Sequence, residues 1–519
     1  MGQRQSGILL HPTSLPGRYG IGELGREALA FVDFLGETGQ SIWQVLPLGP
    51  TGYGDSPYQC FSAFAGNPLL VSLDTLADEG LLEAADLASA SFPPDAVDFG
   101  AVIAFKRPLL AKAFSTFERT AVVSGRDLFD QFCRDEAAWL DDFALFMALK
   151  DAHAGAAWNT WEEGLLNRNP EELARARRDH AAAIRAVQFA QFLFFDQWTR
   201  LHRTALSRGI TVMGDIPIFV AHDSSDVWAR PDLFALAADG GAALQAGVPP
   251  DYFSATGQLW GNPLYRWDAL ARTGYAWWVE RFRASLRLYD SVRLDHFRGF
   301  EAYWEIPGGE TTAVNGRWVK GPGPALFDAL QAALGPLPIV AENLGVITPE
   351  VEALREGYGW PGMAILQFAF GDDSQANDFL PHNYPRNRVV YTGGHDNDTT
   401  VGWWTAGVGD STRSEAEVRR ERDFALRYVG GDGSEIHWAF IRTVMASVAD
   451  VVIVPLQDVL GAGTEARMNL PGRLGGNWHW RFREGAITPE MAARLSMLTR
   501  TFGRKRKETE ERTDSEGPG

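Results

Sequence analysis

Four apolar segments of the chain each end in polar side chains of catalytic types. They occupy residues 211–219, 291–297, 337–345 and 389–398. In chain order their ends carry Asp215, the pair Arg293 and Asp295, Glu342, and the pair His395 and Asp396. Two or three carboxylates that converge with an arginine and a histidine are suited to breaking a glycosidic bond. The sequence therefore predicts a carbohydrate-active enzyme.

Asp295 lies two residues after Arg293 in an apolar segment. Side chains at positions i and i+2 of a β-strand point to the same face, so the guanidinium can stabilise the charged carboxylate. A charged carboxylate can attack an anomeric carbon and form a glycosyl ester. We predict that Asp295 is the nucleophile; the alternative is a buried ion pair without a chemical role.

Glu342 directly follows the apolar residues 339–341. An apolar setting raises the pKa of a carboxyl group, as a general acid requires. We predict this role for Glu342; the alternative is a residue that only begins the next helix.

His395 and Asp396 can bind the hydroxyls of the sugar being cleaved, and Asp215 can organise the network. A metal site formed by His395, Asp396 and Asp398 is the alternative. No second histidine lies at ligand spacing, so we predict no metal.

The elements that must position these side chains are eight short apolar runs, most of them nearly continuous rather than alternating. They occupy residues 7–12, 42–48, 210–219, 291–297, 338–343, 363–368, 388–395 and 450–456. Continuous apolar runs are typical of parallel strands buried on both faces, and helical stretches lie between them. We predict an α/β fold, a (β/α)8 TIM barrel with a pocket at the C-terminal strand ends.

The spacing of the runs predicts large insertions around that face. We expect one catalytic domain over residues 1–502, with a helical insertion at about 68–205 and an aromatic, Pro-rich one at about 220–276. Insertions at strand ends commonly build the substrate site. The charged residues 503–519 predict a disordered tail.

The composition of the chain limits the classes of partner and the cellular compartment that we expect. The net charge of −18 disfavours nucleic acid. No apolar run approaches the roughly 18 residues of a membrane span, and two distant cysteines, Cys60 and Cys133, favour a reducing compartment. We expect a cytoplasmic protein without a membrane or nucleic-acid partner. Aromatic side chains in residues 51–64 and 249–263 suit stacking on sugar rings.

Six long motifs carry a family resemblance. They read HPTSLPGRYGIGELG, WQVLPLGPTGYGDSPYQ, GDIPIFVAHDSSDVW, SVRLDHFRG, VAENLG and GGHDNDTT. Together they resemble the 4-α-glucanotransferases (amylomaltases or disproportionating enzymes) of glycoside hydrolase family 77, relatives of the α-amylases. The resemblance runs from about Gly7 to Phe482. One departure is Gly394, where the family pattern has threonine before the histidine.

The resemblance implies retaining transfer of an α-1,4-glucan segment to the 4-hydroxyl of glucose or a maltooligosaccharide, without a cofactor, by a monomer or weak homo-oligomer. It assigns Asp295 as nucleophile, Glu342 as acid/base and Asp396 as transition-state stabiliser. The residues implied in substrate binding are Arg293, His395, Asp215, Tyr58, Asp251, Phe253, Ser254, Gln258 and Trp260. An α-amylase-type hydrolase and a non-catalytic glucan-binding barrel remain the alternatives.

Overall fold

The computed structural model describes residues 4–250, 256–371, 376–407, 414–473 and 475–505. Its strands are β1 (Gln5–Leu9), β2 (Ile42–Gln44), β3 (Thr211–Ile216), β4 (Leu244–Val248), β5 (Gln258–Pro263), β6 (Ser291–Leu294), β7 (Ala302–Pro307), β8 (Arg317–Lys320), β9 (Ile339–Ala341), β10 (Gly362–Ile365), β11 (Arg388–Tyr391) and β12 (Val451–Pro455). Its α-helices are α1 (Arg26–Thr38), α2 (Leu73–Asp78), α3 (Phe99–Thr120), α4 (Val123–Asp135), α5 (Ala137–Ala152), α6 (Glu163–Leu166), α7 (Pro170–Asp179), α8 (Ala181–Ser207), α9 (Ser225–Ala229), α10 (Trp267–Arg272), α11 (Ala276–Leu288), α12 (Pro324–Leu334), α13 (Pro349–Gly357), α14 (Thr400–Thr405), α15 (Glu415–Val429), α16 (Ile436–Ala446), α17 (Leu456–Leu460) and α18 (Pro489–Thr501).

Eight parallel strands close into a barrel in the order β1-β12-β11-β10-β9-β6-β3-β2. Each of the eight apolar runs overlaps one of these strands, so the predicted (β/α)8 fold is confirmed. Successive strand residues point to opposite faces. In β2, for example, Trp43 joins a core cluster that includes Phe31 of helix α1, whereas Ile42 joins a separate cluster formed largely by other strands. Burial on both faces explains why the runs are continuously apolar.

Helices α2 to α8 lie between β2 and β3, in the region predicted to be a helical insertion. Phenylalanines from three of these helices pack together there: Phe114 and Phe117 of α3, Phe129 of α4 and Phe189 of α8. The division of the chain into a domain and insertions stays a prediction.

A second sheet lies outside the barrel, with four antiparallel strands in the order β5-β4-β7-β8. The sequence did not predict this sheet. Two of its strands fall in the expected aromatic insertion at about 220–276, but β7 and β8 come after β6. The sheet therefore joins the insertion to the segment that follows Asp295.

The predicted tail boundary at residue 503 is wrong for Arg504. This side chain is 0% exposed and donates hydrogen bonds to the backbone carbonyls of Met445, Ser447 and Ala449. Burial follows because a guanidinium can satisfy several carbonyls that helix α16 and the turn after it leave unpaired. Residues 506–519 lie outside the described residues. Among the residues that are described, no helix is long and apolar enough to cross a membrane.

Candidate active site

The backbone of neighbouring strands brings the predicted site residues to one end of the barrel. Asp215 of β3 and Arg293 of β6 are direct partners in the parallel ladder. The N–H of Asp295 donates to the carbonyl of Ile216 at 3.0 Å, and the N–H of Glu342 donates to that of Leu294 at 3.1 Å. Because parallel strands end at the same edge, the carboxylates of three strand ends share the C-terminal mouth of the barrel.

Arg293 bridges two carboxylates. Its Nη1 lies 2.7 Å from Oδ2 of Asp215, and its Nη2 lies 2.8 Å from Oδ1 of Asp295. The Asp215 side chain is 0% exposed, whereas 27% of the Asp295 side chain is exposed. Burial alone lowers the pKa of Arg293, but the two carboxylates raise it well above its usual value. The cation is therefore permanent, and Asp295 is the more exposed of its two carboxylate partners.

Glu342 is buried and held by two backbone donors. Its Oε2 accepts a hydrogen bond from the N–H of His296 at 2.8 Å, and its Oε1 accepts one from Leu344 at 2.9 Å. Burial raises the pKa of Glu342 to about 7, against the opposing charge of Arg293 and with a further increase from Asp295. A carboxyl group with this pKa exists in both protonation states near neutral pH, as an acid/base catalyst requires.

His395 and Asp396 lie in the loop after β11. The His395 ring stacks on Tyr58 with centroids 5.2 Å apart, and its Nε2 lies 3.4 Å from Oδ2 of Asp396. Burial lowers the pKa of His395, so the ring is neutral at neutral pH. The Tyr58 hydroxyl also donates to Oδ2 of Asp215 at 3.0 Å, which connects this loop to the Arg293 bridge.

Two contacts of Asp396 could not be predicted from the sequence. Nδ2 of Asn469 donates to Oδ1 of Asp396 at 2.6 Å, and Nη2 of Arg467 donates to the Asp396 carbonyl at 2.7 Å. Both residues follow α17 in a segment without strong periodicity, and no local sequence signal links them to residue 396. They hold a carboxylate whose side chain is 50% exposed and so is accessible to a ligand.

The aromatic side of the site comes from β5. The Trp260 ring meets the His296 ring edge to face with centroids 4.9 Å apart, and its indole N–H donates to Oε1 of Gln258 at 3.2 Å. Since His296 directly follows Asp295, these two predicted binding residues adjoin the nucleophile candidate. The other three predicted from this segment, Asp251, Phe253 and Ser254, lie outside the described residues.

No group of three or more histidine, cysteine, aspartate or glutamate side chains suited to a metal occurs within the described part of the chain. The carboxylates at the barrel mouth are instead held by Arg293, Tyr58, Asn469 and backbone N–H groups.

The structure is a closed parallel barrel in which carboxylates from neighbouring strands gather at the C-terminal strand ends, where enzymes of this fold have their active sites. The family model described as 4-alpha-glucanotransferase matches residues 10–488, and the chain belongs to this family. The resemblance drawn from the six motifs is thereby confirmed.

Similar proteins match over nearly the whole chain. The 4-alpha-glucanotransferase of Thermus thermophilus is 52% identical over 503 residues, covering 95% of this chain and 98% of that protein. The one from Synechocystis sp. is 51% identical over 508 residues, covering 97% and 98%. The structure of amylomaltase from Streptococcus agalactiae in complex with acarbose superposes with a TM-score of 0.92 at 40% identity, covering 97% of this chain and all of that one.

Proposed function

We propose that this chain is a 4-α-glucanotransferase that moves a segment of an α-1,4-glucan to the 4-hydroxyl of glucose or a maltooligosaccharide, with retention at the anomeric carbon. The observation that carries this proposal is the pairing of an Arg293-bound, partly exposed Asp295 with a buried Glu342 whose pKa is raised to about 7. Retaining glycosyl transfer needs these two different carboxyl groups.

In the first step, an Asp295 oxygen attacks C1 of the donor sugar. The bond from C1 to the glycosidic oxygen breaks, the Glu342 proton passes to that oxygen, and the shortened glucan leaves. The product is a glycosyl ester on Asp295 and a Glu342 carboxylate. The Arg293 guanidinium stabilises the charge of Asp295 before attack.

In the second step, Glu342 takes the proton of the acceptor's 4-hydroxyl while that oxygen attacks C1. The ester bond breaks, Asp295 becomes a carboxylate again, and the new α-1,4 bond forms. Asp396 and the neutral His395 ring bind the hydroxyls of the reacting sugar, where hydrogen bonds strengthen in the transition state. Trp260 with Gln258 offers an aromatic and polar surface beside His296 for neighbouring sugar rings.

The proposed enzyme acts on soluble sugars in the cytoplasm. Maltooligosaccharides serve as donors, glucose or a maltooligosaccharide accepts, and no cofactor takes part. Cys60 and Cys133 are both free thiols, which is consistent with an enzyme that acts in the reducing cytoplasm. The proposed enzyme is a monomer or a weak homo-oligomer.

Incubation with maltotriose tests the proposal. A transferase gives glucose together with longer maltooligosaccharides, and the total number of reducing ends stays constant. A hydrolase gives only shorter sugars with a rise in reducing ends, and a non-catalytic glucan-binding barrel gives neither. Either of these last two results would overturn the proposed transfer.

A further inference from the structure

Asp458 is a buried carboxylate beside the loop that carries His395 and Asp396. It lies in helix α17, directly after β12, and is 1% exposed. No chemical step described above uses it. A buried carboxylate is costly unless hydrogen-bond donors surround it, so its partners show what it holds in place.

Asp458 binds both ends of the loop formed by residues 392–400. At the first end, the hydroxyl of Thr392, which follows β11, donates to its Oδ2 at 2.5 Å. At the second end, the N–H of Thr400 donates to its Oδ1 at 2.7 Å and the Thr400 hydroxyl donates to its Oδ2 at 2.8 Å. One side chain therefore joins the end of β11 to the first turn of α14.

The backbone of the loop between these ends has few intrinsic conformational restrictions at its start. Gly393 and Gly394 follow Thr392, and glycine restricts the backbone least of all residues. Inside the loop, the Gly394 N–H donates to Oδ1 of Asn397 at 2.8 Å. That bond shapes the turn but does not join its two ends. Gln367 links the carbonyls of Thr392 and Asp398. Asp458 links the side chain of Thr392 to Thr400 in the first turn of α14.

We propose that Asp458 is a positioning residue for the transfer reaction. By joining Thr392 to Thr400, it holds the His395 and Asp396 side chains in a fixed position relative to Asp295. This inference rests on the proposed function. Asp458 acts through the loop and does not touch the substrate. A displacement of about 1 Å in a reacting constellation costs roughly 100-fold in rate, so a fixed loop has a measurable effect.

A double-mutant cycle separates positioning from general stability. On maltotriose, Asp458→Ala should lower kcat by about 10- to 100-fold and change KM by less than about threefold. The same change in a His395→Ala/Asp396→Ala background should lower the residual rate by less than about threefold, since the positioned groups are gone. Maltotriosyl fluoride, an activated donor, makes that residual rate measurable. An equal loss in both backgrounds would overturn the inference.

Asp290→Ala is the matched control. Asp290 also accepts hydrogen bonds from a side chain and a backbone group, His202 Nε2 at 2.9 Å and the Val212 N–H at 2.7 Å, but at the N-terminal end of the barrel. Its removal should lower Tm and leave kcat within about twofold. A fall in kcat equal to that of Asp458→Ala would show that both act through stability and would contradict the inference.

Thr392→Val is the second probe if Asp458→Ala does not fold. It removes one donor to Asp458 and keeps the side-chain shape, so the same cycle applies with a smaller loss. Wild-type protein that fails to elongate maltotriose would contradict the proposed function itself. Active wild type with additive losses in the cycle would overturn only the role of Asp458.

Discussion

Asp215 and Arg293 are direct partners on neighbouring parallel strands, and their side chains form an ion pair of 2.7 Å. The other terminal nitrogen of the same guanidinium contacts Asp295 at 2.8 Å. A guanidinium has a fixed planar fork that serves two carboxylates at once, whereas a lysine ammonium is a single point charge on a flexible stem. One side chain thus connects a fully buried carboxylate to one that is partly exposed.

Arg293→Lys should therefore lower kcat about 100-fold or more, because the lysine cannot hold both carboxylates in place. It should also destabilise the protein by roughly 1–3 kcal/mol, because the single lysine charge leaves one of the two carboxylates without its hydrogen-bond donor. Steady-state rates and urea unfolding measure the two effects. Arg317→Lys is the control, because Arg317 pairs with Glu305 at the surface and is 77% exposed. Activity within threefold of wild type for Arg293→Lys would contradict the bridge.

Asp295→Asn should lower transfer by at least about 10³-fold and leave the fold intact, since the amide cannot form the glycosyl ester. Intact-protein mass spectrometry after an acid quench gives a direct reading. With maltotriosyl fluoride as donor, a maltotriosyl adduct should appear on the Glu342→Gln protein and be missing from the Asp295→Asn protein. An adduct on Asp295→Asn would place the covalent step on another residue.

We expect Glu342 to set the pH dependence of the proposed first step. Its raised pKa, about 7, means that the carboxyl is protonated below pH 7 and loses its proton as the pH rises through that value. The acid is then missing, so kcat/KM for maltooligosaccharide donors should fall above about pH 7. Maltotriosyl fluoride needs no proton on its leaving group, so this alkaline limb should vanish with it. An identical limb for both donors would argue against the acid role.

Glu342→Gln tests the same residue by a different route. The variant should be nearly inactive on maltotriose, yet its ester-forming step with maltotriosyl fluoride should recover strongly, because fluoride departs without help. Burst kinetics of fluoride release follow that step alone. Equal loss with both donors would mean that Glu342 supports the fold of the site rather than proton transfer.

The barrel and its carboxylates could be predicted because their signals are local. A parallel strand buried on both faces appears in sequence as a continuous apolar run, as in β12, and its polar end marks the barrel mouth. The spacing of Arg293 and Asp295 likewise predicts their ion pair, because residues two apart in a strand lie on the same face.

The contacts that could not be predicted are formed by residues far apart in sequence. Strand β4 pairs with β5 across an irregular register and with β7 some 60 residues away, and β5 contains glycine and proline. Asn469 reaches Asp396 over 73 residues. Arg504 belongs to a charged, nearly apolar-free segment, and only the folded positions of Met445 and Ser447 explain its burial. Tertiary partners decide each of these cases, and no local pattern encodes them.

Arg504→Ala should lower the free energy of unfolding by about 2–3 kcal/mol without changing kcat. The change removes the arginine donor of the Ala449 carbonyl and one of the two arginine donors of the Met445 and Ser447 carbonyls, which Arg4 also contacts, far from the barrel mouth. Urea unfolding followed by circular dichroism measures the loss. Arg500→Ala, at an exposed position of the preceding helix α18, is the control and should stay within about 0.5 kcal/mol. Equal stability of the two variants would show that the Arg504 contacts contribute nothing.

Trp260 bears on the choice between transfer and hydrolysis. Water and a sugar hydroxyl compete for the ester on Asp295, and water is far more abundant, so a transferase must hold its acceptor and limit access of water. Trp260 lies against His296, the residue after the proposed nucleophile Asp295, and its indole N–H donates a hydrogen bond to Gln258. An aromatic ring in that position can stack on an acceptor sugar and also cover the ester.

Trp260→Ala should therefore reduce elongation of maltotriose more than it reduces hydrolysis, because water still reaches the ester when the stacking surface is gone. The measurement is the ratio of oligosaccharide elongation to net release of reducing ends. Trp318→Ala is the matched control: Trp318 lies on β8, at the far edge of the same four-stranded sheet, and is 40% exposed. Its loss should leave the ratio at the wild-type value. If Trp260→Ala lowers both rates by the same factor, Trp260 only supports the sheet, and acceptor binding depends on other side chains.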